Sequence, residues 1–269
     1  MTSDAPVRRV LVFDSGLGGL TVYAPIAAAR PDVELLYVAD DAFFPYGDLS
    51  ERALVERVVG LMTQLVEQGR PDLVVIACNT ASTLVLGPLR ARFPDLPFVG
   101  TVPAIKPAAL ASRSKLVSVL ATPGTVARDY TRALVREFAG DCEVTLVGSA
   151  RLAGLAEREL RGESVAEAAI AAEIAPCFVE RAGARTDQIV LACTHFPLLA
   201  QRLVAASPWR VNFVDPAPAI ARRVETLLGP VGRGRSGQAG QAIFTSGRPA
   251  PFALQKALLA RGLTISSLP

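Results

Sequence analysis

The chain is poor in the residues that usually form metal sites. Among its 269 residues there are one histidine, His195, and four cysteines, none of which stands in a CxxC pair. Structural zinc sites usually take about four Cys or His ligands in closely spaced pairs. Cys193 and His195 together with Cys78 could supply only part of such a set, so the sequence argues against a metal site.

Long apolar runs and a strong charge of either sign are also missing. No apolar stretch reaches the roughly 18 residues that a membrane-spanning helix needs. The net charge is only +3, and most arginines stand singly on helix-like segments, so neither a membrane nor a nucleic acid is an expected partner. The opening MTSDAPVRRV has no apolar core of a signal peptide. We therefore expect a cytoplasmic location, where cysteines stay reduced.

What the chain does contain is a repeating order of strand-like and helix-like segments. Short β-rich runs such as RRVLVFDS, VELLYVAD, DLVVIA and KLVSVLA alternate with amphipathic segments such as SERALVERVVGLMTQLVEQG. This alternation predicts an α/β fold with mainly parallel sheets flanked by helices. One helix is predicted from about residue 82, and helical segments after CEVTLVGS are predicted through about residue 183. The glycine-rich stretch 229–241 predicts an exposed loop.

An internal repeat relates the two halves of the chain. DLVVIACNTAS at 72–82 aligns with DQIVLACTHFP at 187–197, with Asp, Val, Ala and Cys at matching places. We interpret this as two similar α/β halves, each with a cysteine after a strand. The alternative is chance similarity between two ordinary strand–helix junctions. Ligands of open α/β sheets bind beyond the carboxyl ends of the strands, so Cys78 and Cys193 would both lie at such a site.

Cys78 and Cys193 are the candidate reactive thiols. Each is followed by polar residues that can begin a helix, and the positive end of a helix favours thiolate over thiol. A buried structural thiol is the usual alternative for a cysteine after an apolar strand, and Cys142 and Cys177 are assigned to it. Because two cysteines occupy equivalent junctions, we interpret Cys78 and Cys193 as a catalytic pair.

His195 and Asp14 are candidate partners of these thiols. An imidazole suits proton handling near neutral pH. Asp14 ends the first strand, where it could act on a substrate or on Cys78, or simply cap the turn. The turn GLGG at 16–19 is superficially like a phosphate loop, and Asp40 stands where a dinucleotide site would need an acid. The pattern is not GxGxxG, so a dinucleotide is the weaker interpretation.

Five motifs, FDSGLGGLTV, PYG, ACNTAS, VGTVPAIKPA and CTHFPLL, in this order and spacing, resemble the cofactor-independent glutamate racemases. The resemblance covers nearly the whole chain. The histidine of CTH favours glutamate over the related aspartate racemases, which usually carry an acidic residue there. The resemblance implies two pseudo-symmetric α/β domains, residues 1–100 with 213–269 and residues 101–212, and an active site in the cleft between them.

The resemblance also implies a two-base racemisation of glutamate that needs no cofactor. One thiolate removes the α-proton and the opposite thiol delivers a proton to the other face, with Cys78 serving the D-enantiomer and Cys193 the L-enantiomer. Asp14 would assist Cys78, His195 would assist Cys193, and Glu157 falls at the place of a further family glutamate. The residues that fall on the family's substrate-binding motifs are Asp14, Ser15, Pro45, Tyr46, Gly47, Asn79, Thr80, Thr122, Thr125, Thr194 and His195.

Related functions stay open beside this one. A sister enzyme of the same superfamily could act on aspartate or hydantoins, and a non-catalytic relative could bind DNA gyrase. A glutamate racemase would supply D-glutamate for peptidoglycan synthesis. Members of the family are often dimers, so a homodimer is an expectation whose arrangement the sequence leaves open.

Overall fold

The computed structural model describes residues 7–232 and 239–267. Residues 233–238, within the stretch expected to be an exposed loop, lie outside the described residues. In the described ranges the strands are β1 (Arg9–Asp14), β2 (Glu34–Ala39), β3 (Leu73–Ile76), β4 (Phe98–Gly100), β5 (Leu116–Ala121), β6 (Glu143–Gly148), β7 (Glu180–Arg181), β8 (Ala184–Arg185), β9 (Gln188–Ala192), β10 (Asn212–Val214), β11 (Gly240–Phe244) and β12 (Leu263–Ser266).

The helices of the same ranges are α1 (Leu20–Ala29), α2 (Glu51–Gly69), α3 (Asn79–Arg92), α4 (Ile105–Ala111), α5 (Pro123–Ala127), α6 (Asp129–Phe138), α7 (Leu152–Leu160), α8 (Glu167–Ile174), α9 (Ala200–Ala205), α10 (Ala217–Leu228) and α11 (Phe252–Leu259). Short 3-10 turns lie at Tyr46–Asp48, Ala175–Cys177 and Phe196–Leu199. None of these helices is long and apolar enough to cross a lipid bilayer.

The strands form two parallel sheets and a short hairpin. In the described part of the chain the first sheet has the order β12-β11-β2-β1-β3-β4 and the second the order β10-β9-β5-β6. All pairings within these sheets are parallel, and only β7 and β8 pair antiparallel. Parallel strands are joined by crossover helices that bury both sheet faces, which explains the nearly continuous apolar strands. The prediction of an α/β fold is confirmed.

Two apolar layers cover the faces of the first sheet. Val10 and Val12 of β1 pack with α1 and α10 on one face. Leu11 and Phe13 pack with α2 and α3 on the other. Successive side chains of a strand point to opposite faces, so neighbours in β1 belong to different layers. This double burial holds the central strand, and Asp14 at its end, in a fixed position.

Helix α2 shows how the local sequence sets an element. Ser50 accepts a hydrogen bond at 3.3 Å from the Ala53 amide and so caps the helix. Leu54 and Val58, four residues apart, are buried against the sheet. The helix ends before Arg70, which has a left-handed φ of 44°. The element lies where its periodicity predicts it.

Two boundaries differ from the sequence predictions. Helix α3 begins at Asn79, directly after Cys78 as its N-cap residue, rather than near residue 82. The segment expected to be helical through about residue 183 instead ends in the hairpin of β7 and β8. Ala182 and Gly183 both have positive φ, 48° and 80°, which is the two-residue turn that fits the twist of a hairpin.

The parallel order of both sheets positions the candidate site. Strands β1 and β3 end at the same edge of the first sheet and bring Asp14 and Cys78 there. Strand β9 ends at the corresponding edge of the second sheet, just before Cys193. Side chains from both edges line one cavity. The repeat seen in the sequence is thus two equivalent strand ends.

Candidate active site

A small cavity lies between the carboxyl edges of the two sheets. Its volume is about 30 Å³, room for only a few water molecules. Cys78 and Cys193 both line it, one from each sheet, and are only 5% and 6% exposed. The rest of the wall is Ser15, Phe44, Pro45, Tyr46, Gly47, Asn79, Thr80, Thr122, Ala153, Thr194 and His195. Of the remaining predicted site residues, Asp14, Thr125 and Glu157 lie behind this wall.

On the first side, Cys78 is held as a protonated thiol. Burial, and then the negative charge of Asp14, raise the pKa of the Cys78 thiol far above its usual range. The Ala81 amide and Ser15 Oγ, which lies 3.7 Å from the sulfur, favour the thiolate but are outweighed. The removal of water around the sulfur therefore dominates over the helix-end effect that the sequence suggests. Cys78 is a proton donor in this state of the protein.

Asp14 stands behind Cys78 at the end of β1. Its Oδ2 accepts hydrogen bonds from the Gly16 and Gly19 amides at 3.2 and 2.9 Å, so it does cap the turn. Its Oδ1 is buried and has no hydrogen-bond partner among the described residues. Burial raises the pKa of Asp14, although the charge of His195 and the amides act against this. An unsatisfied buried oxygen is costly, which fits a group kept for function rather than stability.

On the second side, Cys193 faces an imidazole–carboxylate pair. His195 Nδ1 lies 3.9 Å from Cys193 Sγ, and its Nε2 lies 2.9 Å from Glu157 Oε1. Burial by itself would lower the pKa of His195, but contacts with Cys193 and Glu157 outweigh it and raise the pKa well above the ordinary value. For Glu157 burial acts in the opposite sense and would raise the pKa, but hydrogen bonds from His195 and from the Leu17 amide outweigh it and lower the pKa. The raised pKa of His195 and the lowered pKa of Glu157 favour an imidazolium–carboxylate pair beside the cavity.

The GLGG turn is a docking surface for this pair. A Cβ built on Gly16 would fall within 3.0 Å of Glu157 Oε1, and one on Gly18 within 3.0 Å of the His195 ring. Glycine is needed because the two side chains press against the backbone. The Gly18 amide also lies 3.1 Å from His195 Nε2, but we place the Nε2 proton toward Glu157, whose carboxylate must accept it. The carboxylate of Asp40, the acid that a dinucleotide would require, is already bound by Arg57, Tyr46 and Thr245, which does not favour the dinucleotide interpretation.

Polar groups for a substrate come from the segments after β3 and β5. Asn79 is 2% exposed, and neither polar atom of its side chain is hydrogen-bonded to a described residue. The Thr122 hydroxyl lies 3.1 Å from that of Thr80 and 3.0 Å from that of Thr125, which is fully buried. The free amide of Asn79 can donate to a carboxylate and accept from an ammonium group. Thr125 orients the two threonines that reach the cavity.

The site contains residues, in the wall and behind it, that no chemical motif singled out. Phe44 packs on the His195 ring with a centroid distance of 5.2 Å, and Ala153 closes the cavity from the start of α7. Arg161 donates to the second oxygen of Glu157 at 3.3 Å from both its Nε and its Nη2. The only local signal for Phe44 is its position before PYG, and Arg161 is recognisable only as the residue one helical turn after Glu157.

Two buried thiols, one from each of two parallel sheets and each beside an ionisable group, are the arrangement expected of a racemase that uses two acid/base residues. The sequence matches the Asp/Glu/hydantoin racemase family over residues 21–224. The chain belongs to this family and is an isomerase.

Individual relatives are similar over nearly their whole length. The chain is 54% identical to the glutamate racemase of Mesorhizobium japonicum over 259 residues, which covers 96% of this chain and 98% of the relative. It is 52% identical to the glutamate racemase of Brucella canis over 265 residues, covering 96% and 94%. The Escherichia coli glutamate racemase, solved with L-glutamate and the activator UDP-MurNAc-Ala, superimposes with a TM-score of 0.88 at 42% identity over 98% of each chain.

Proposed function

We propose that this enzyme interconverts L- and D-glutamate and moves the α-proton by means of Cys78 and Cys193. The observation that carries the proposal is that the two thiols line one cavity from opposite sheets. A racemase must remove a proton from one face of Cα and add one to the other, so it needs an acid and a base on opposite sides. Each half of the fold supplies one of them.

A first turnover requires one sulfur to start as the base and the other as the acid. In the L-to-D direction the Cys193 thiolate takes the α-proton, so the Cα–H bond breaks and an S–H bond forms. The Cys78 thiol then gives its proton to the opposite face, so its S–H bond breaks and a new Cα–H bond forms. The enzyme is left with Cys193 as the thiol and Cys78 as the thiolate, ready for D-glutamate.

The energetic demand on the site is steep. The α-proton of an amino acid is less acidic than a thiol by roughly ten or more units, which corresponds to about 15 kcal/mol. Stabilisation of the carbanion must come from fixed donors in a space closed to water. Asn79, Thr80 and Thr122 offer such donors at the cavity, and His195 places a positive charge beside it.

The cavity is smaller than a glutamate molecule. Its volume is about 30 Å³, and its walls come from segments next to both sheets. We infer that the two sheets belong to two domains, about residues 1–100 with 215–269 and residues 101–214, which separate to admit substrate. Strand β10 (Asn212–Val214) pairs with the second sheet, so the second crossing between domains would follow it. Closure would then exclude water from the reacting atoms.

Glutamate is supported as the substrate by the names of the relatives, and His195 in the CTH motif agrees with it. Peptidoglycan synthesis is the proposed use of the D-glutamate. A cytoplasmic location fits a mechanism that requires both cysteines in reduced form. The homodimer that the family resemblance suggests stays a prediction.

The test is to incubate the purified, reduced protein with L-glutamate in D₂O, with no cofactor added. We expect loss of the α-proton signal in NMR spectra and formation of D-glutamate in chiral chromatography. With two bases, newly formed D-glutamate carries deuterium from the solvent, whereas the L-glutamate remaining at early times keeps its proton. Inverted product that retains the substrate proton would instead indicate a single base.

Variants assign the reaction to the two thiols. Cys78→Ser and Cys193→Ser should each abolish racemisation in both directions, because every turnover uses both sulfurs. Cys142→Ser is the matched control, since Cys142 lies outside the cavity. A folded protein inactive on glutamate but active on aspartate or a hydantoin would identify a sister racemase. Gyrase binding that survives the loss of both thiols, without any racemisation, would identify a binding protein.

A further inference from the structure

Asp40 is the centre of a buried hydrogen-bond cluster behind the catalytic cavity. It follows β2 and is fully buried. Its carboxylate accepts from Arg57 Nε at 2.9 Å and Nη2 at 2.5 Å, from the Tyr46 hydroxyl at 2.7 Å and from the Thr245 hydroxyl at 2.6 Å. These donors come from α2, from the PYG turn and from the residue after β11. One carboxylate therefore joins four parts of the chain.

The cluster holds the segment that forms one wall of the cavity. Phe44, Pro45, Tyr46 and Gly47 line the cavity, and all follow Asp40 within seven residues. The Tyr46 hydroxyl is used by Asp40, so Tyr46 contributes its ring and backbone to the wall. The neighbouring Asp41 is a second anchor, since its carboxylate accepts from the Ser246 amide at 2.9 Å and the Ser246 hydroxyl at 2.6 Å, but only Asp40 ties the segment to α2.

Arg57 is the only cation of the cluster in the described part of the chain. Its guanidinium binds Asp40 through two nitrogens and lies 4.2 Å above the centre of the Phe43 ring. Burial alone would raise the pKa of Asp40, but the hydrogen bonds from Arg57, Thr245 and Tyr46 hold it below the usual value. A planar guanidinium matches a carboxylate in a way that a lysine ammonium does not.

We propose that Arg57 is a positioning residue for the reaction: through Asp40 it fixes the segment 40–47 as a wall of the substrate cavity, although Arg57 does not line that cavity. The proposal rests on the proposed function for its kinetic readout only. Asp14, Cys78, Cys193, His195 and Glu157 are held by other contacts, so loss of Arg57 weakens substrate binding more than proton transfer.

The first arm of the test is kinetic. Arg57→Gln should raise KM for glutamate about ten-fold or more, as expected for losing a charged hydrogen bond, while kcat stays within about three-fold. Arg57→Lys should give an intermediate KM because it restores the charge but not the paired geometry. Arg52→Gln is the matched control, since Arg52 lies on the same helix in an exposed ion pair with Glu56. An unchanged KM, or a fall confined to kcat, would overturn the proposal.

The second arm needs no substrate. The rate of alkylation by iodoacetamide is followed by mass spectrometry at Cys78, Cys193 and Cys177, which is fully buried outside the cavity. In Arg57→Gln the first two thiols should react several-fold faster than in the Arg52→Gln control, and Cys177 should not. A parallel rise at Cys177 would mean general loosening of the fold, and no rise at all would mean an intact wall; both overturn the proposal. A wild-type protein inactive on glutamate would refute the proposed function while this arm still decides the role of Arg57.

Discussion

Replacement of Glu157 by glutamine isolates the charge that supports His195. Glutamine keeps the size of the side chain, and its oxygen can still accept from the Leu17 amide, which lies 2.6 Å from Oε1. What disappears is the carboxylate opposite His195 Nε2 at 2.9 Å and the partner of Arg161. Both lost interactions are buried or partly buried, so solvent screens them little.

The magnitude follows from this geometry. A hydrogen bond to a charged group is worth about 1.5–3 kcal/mol, which corresponds to about a 10- to 100-fold fall in kcat/KM. The two enantiomers have equal free energy in water, so kcat/KM must fall equally in both directions. The pKa of His195 should also drop. Because activity that needs the imidazolium is present below that pKa and lost as the pH rises through it, the alkaline limb should move to lower pH by about one unit or more.

The assay is racemisation followed by circular dichroism from both enantiomers across the pH range. Glu159→Gln is the control, because Glu159 lies on the same helix but outside the cavity wall. Its carboxylate forms a 2.5 Å ion pair with Arg202. It should keep wild-type rates and the wild-type profile. A Glu157→Gln enzyme with unchanged rates and an unchanged alkaline limb would refute the assignment of an imidazolium beside Cys193.

Three further changes test other parts of the structure. Gly18→Ala places a methyl group against the His195 ring and should lower kcat/KM about 100-fold in a folded protein. Gly154→Ala is the control and should keep activity, because a Cβ there meets nothing within 4 Å. Equal activities of the two variants would contradict the docking role of the turn. Asp14→Asn should abolish racemisation but unfold at the same or a higher temperature at pH 7. Burial raises the pKa of Asp14, so its negative charge at pH 7 opposes folding. A clear drop of the unfolding temperature in calorimetry would argue against this. The hydrogen bond from Arg30 lowers the pKa of Asp32 to about 2, so Asp32→Asn should lower the free energy of unfolding by on the order of 1 kcal/mol at pH 7. Urea unfolding curves of the variant and the wild type should converge as the pH falls from about 4 toward 2. A difference that persists in full at pH 2 would contradict the ion pair.

The strand and helix order was readable because its signals are local. The cap at Ser50, the apolar spacing of α2 and the short β-rich runs each act within a few residues. The hairpin of β7 and β8 was missed because its turn depends on positive φ at Ala182, a residue type that gives no such signal. The repeat around Cys78 and Cys193 marked two equivalent strand ends because it preserves residue types in order.

The sequence by itself determined the α/β class, the two thiols, the single imidazole and the family to which their motifs belong. Only the tertiary structure decided their environments. Glu157 accepts from Leu17, 140 residues away, and the GLGG turn contacts His195, 177 residues from Gly18. The pKa of Cys78 is raised mainly by burial, and burial is a property of the packed molecule. Proton donors and acceptors are chemical residue types that a sequence shows, whereas their charge state depends on water and neighbours that only folding brings or removes.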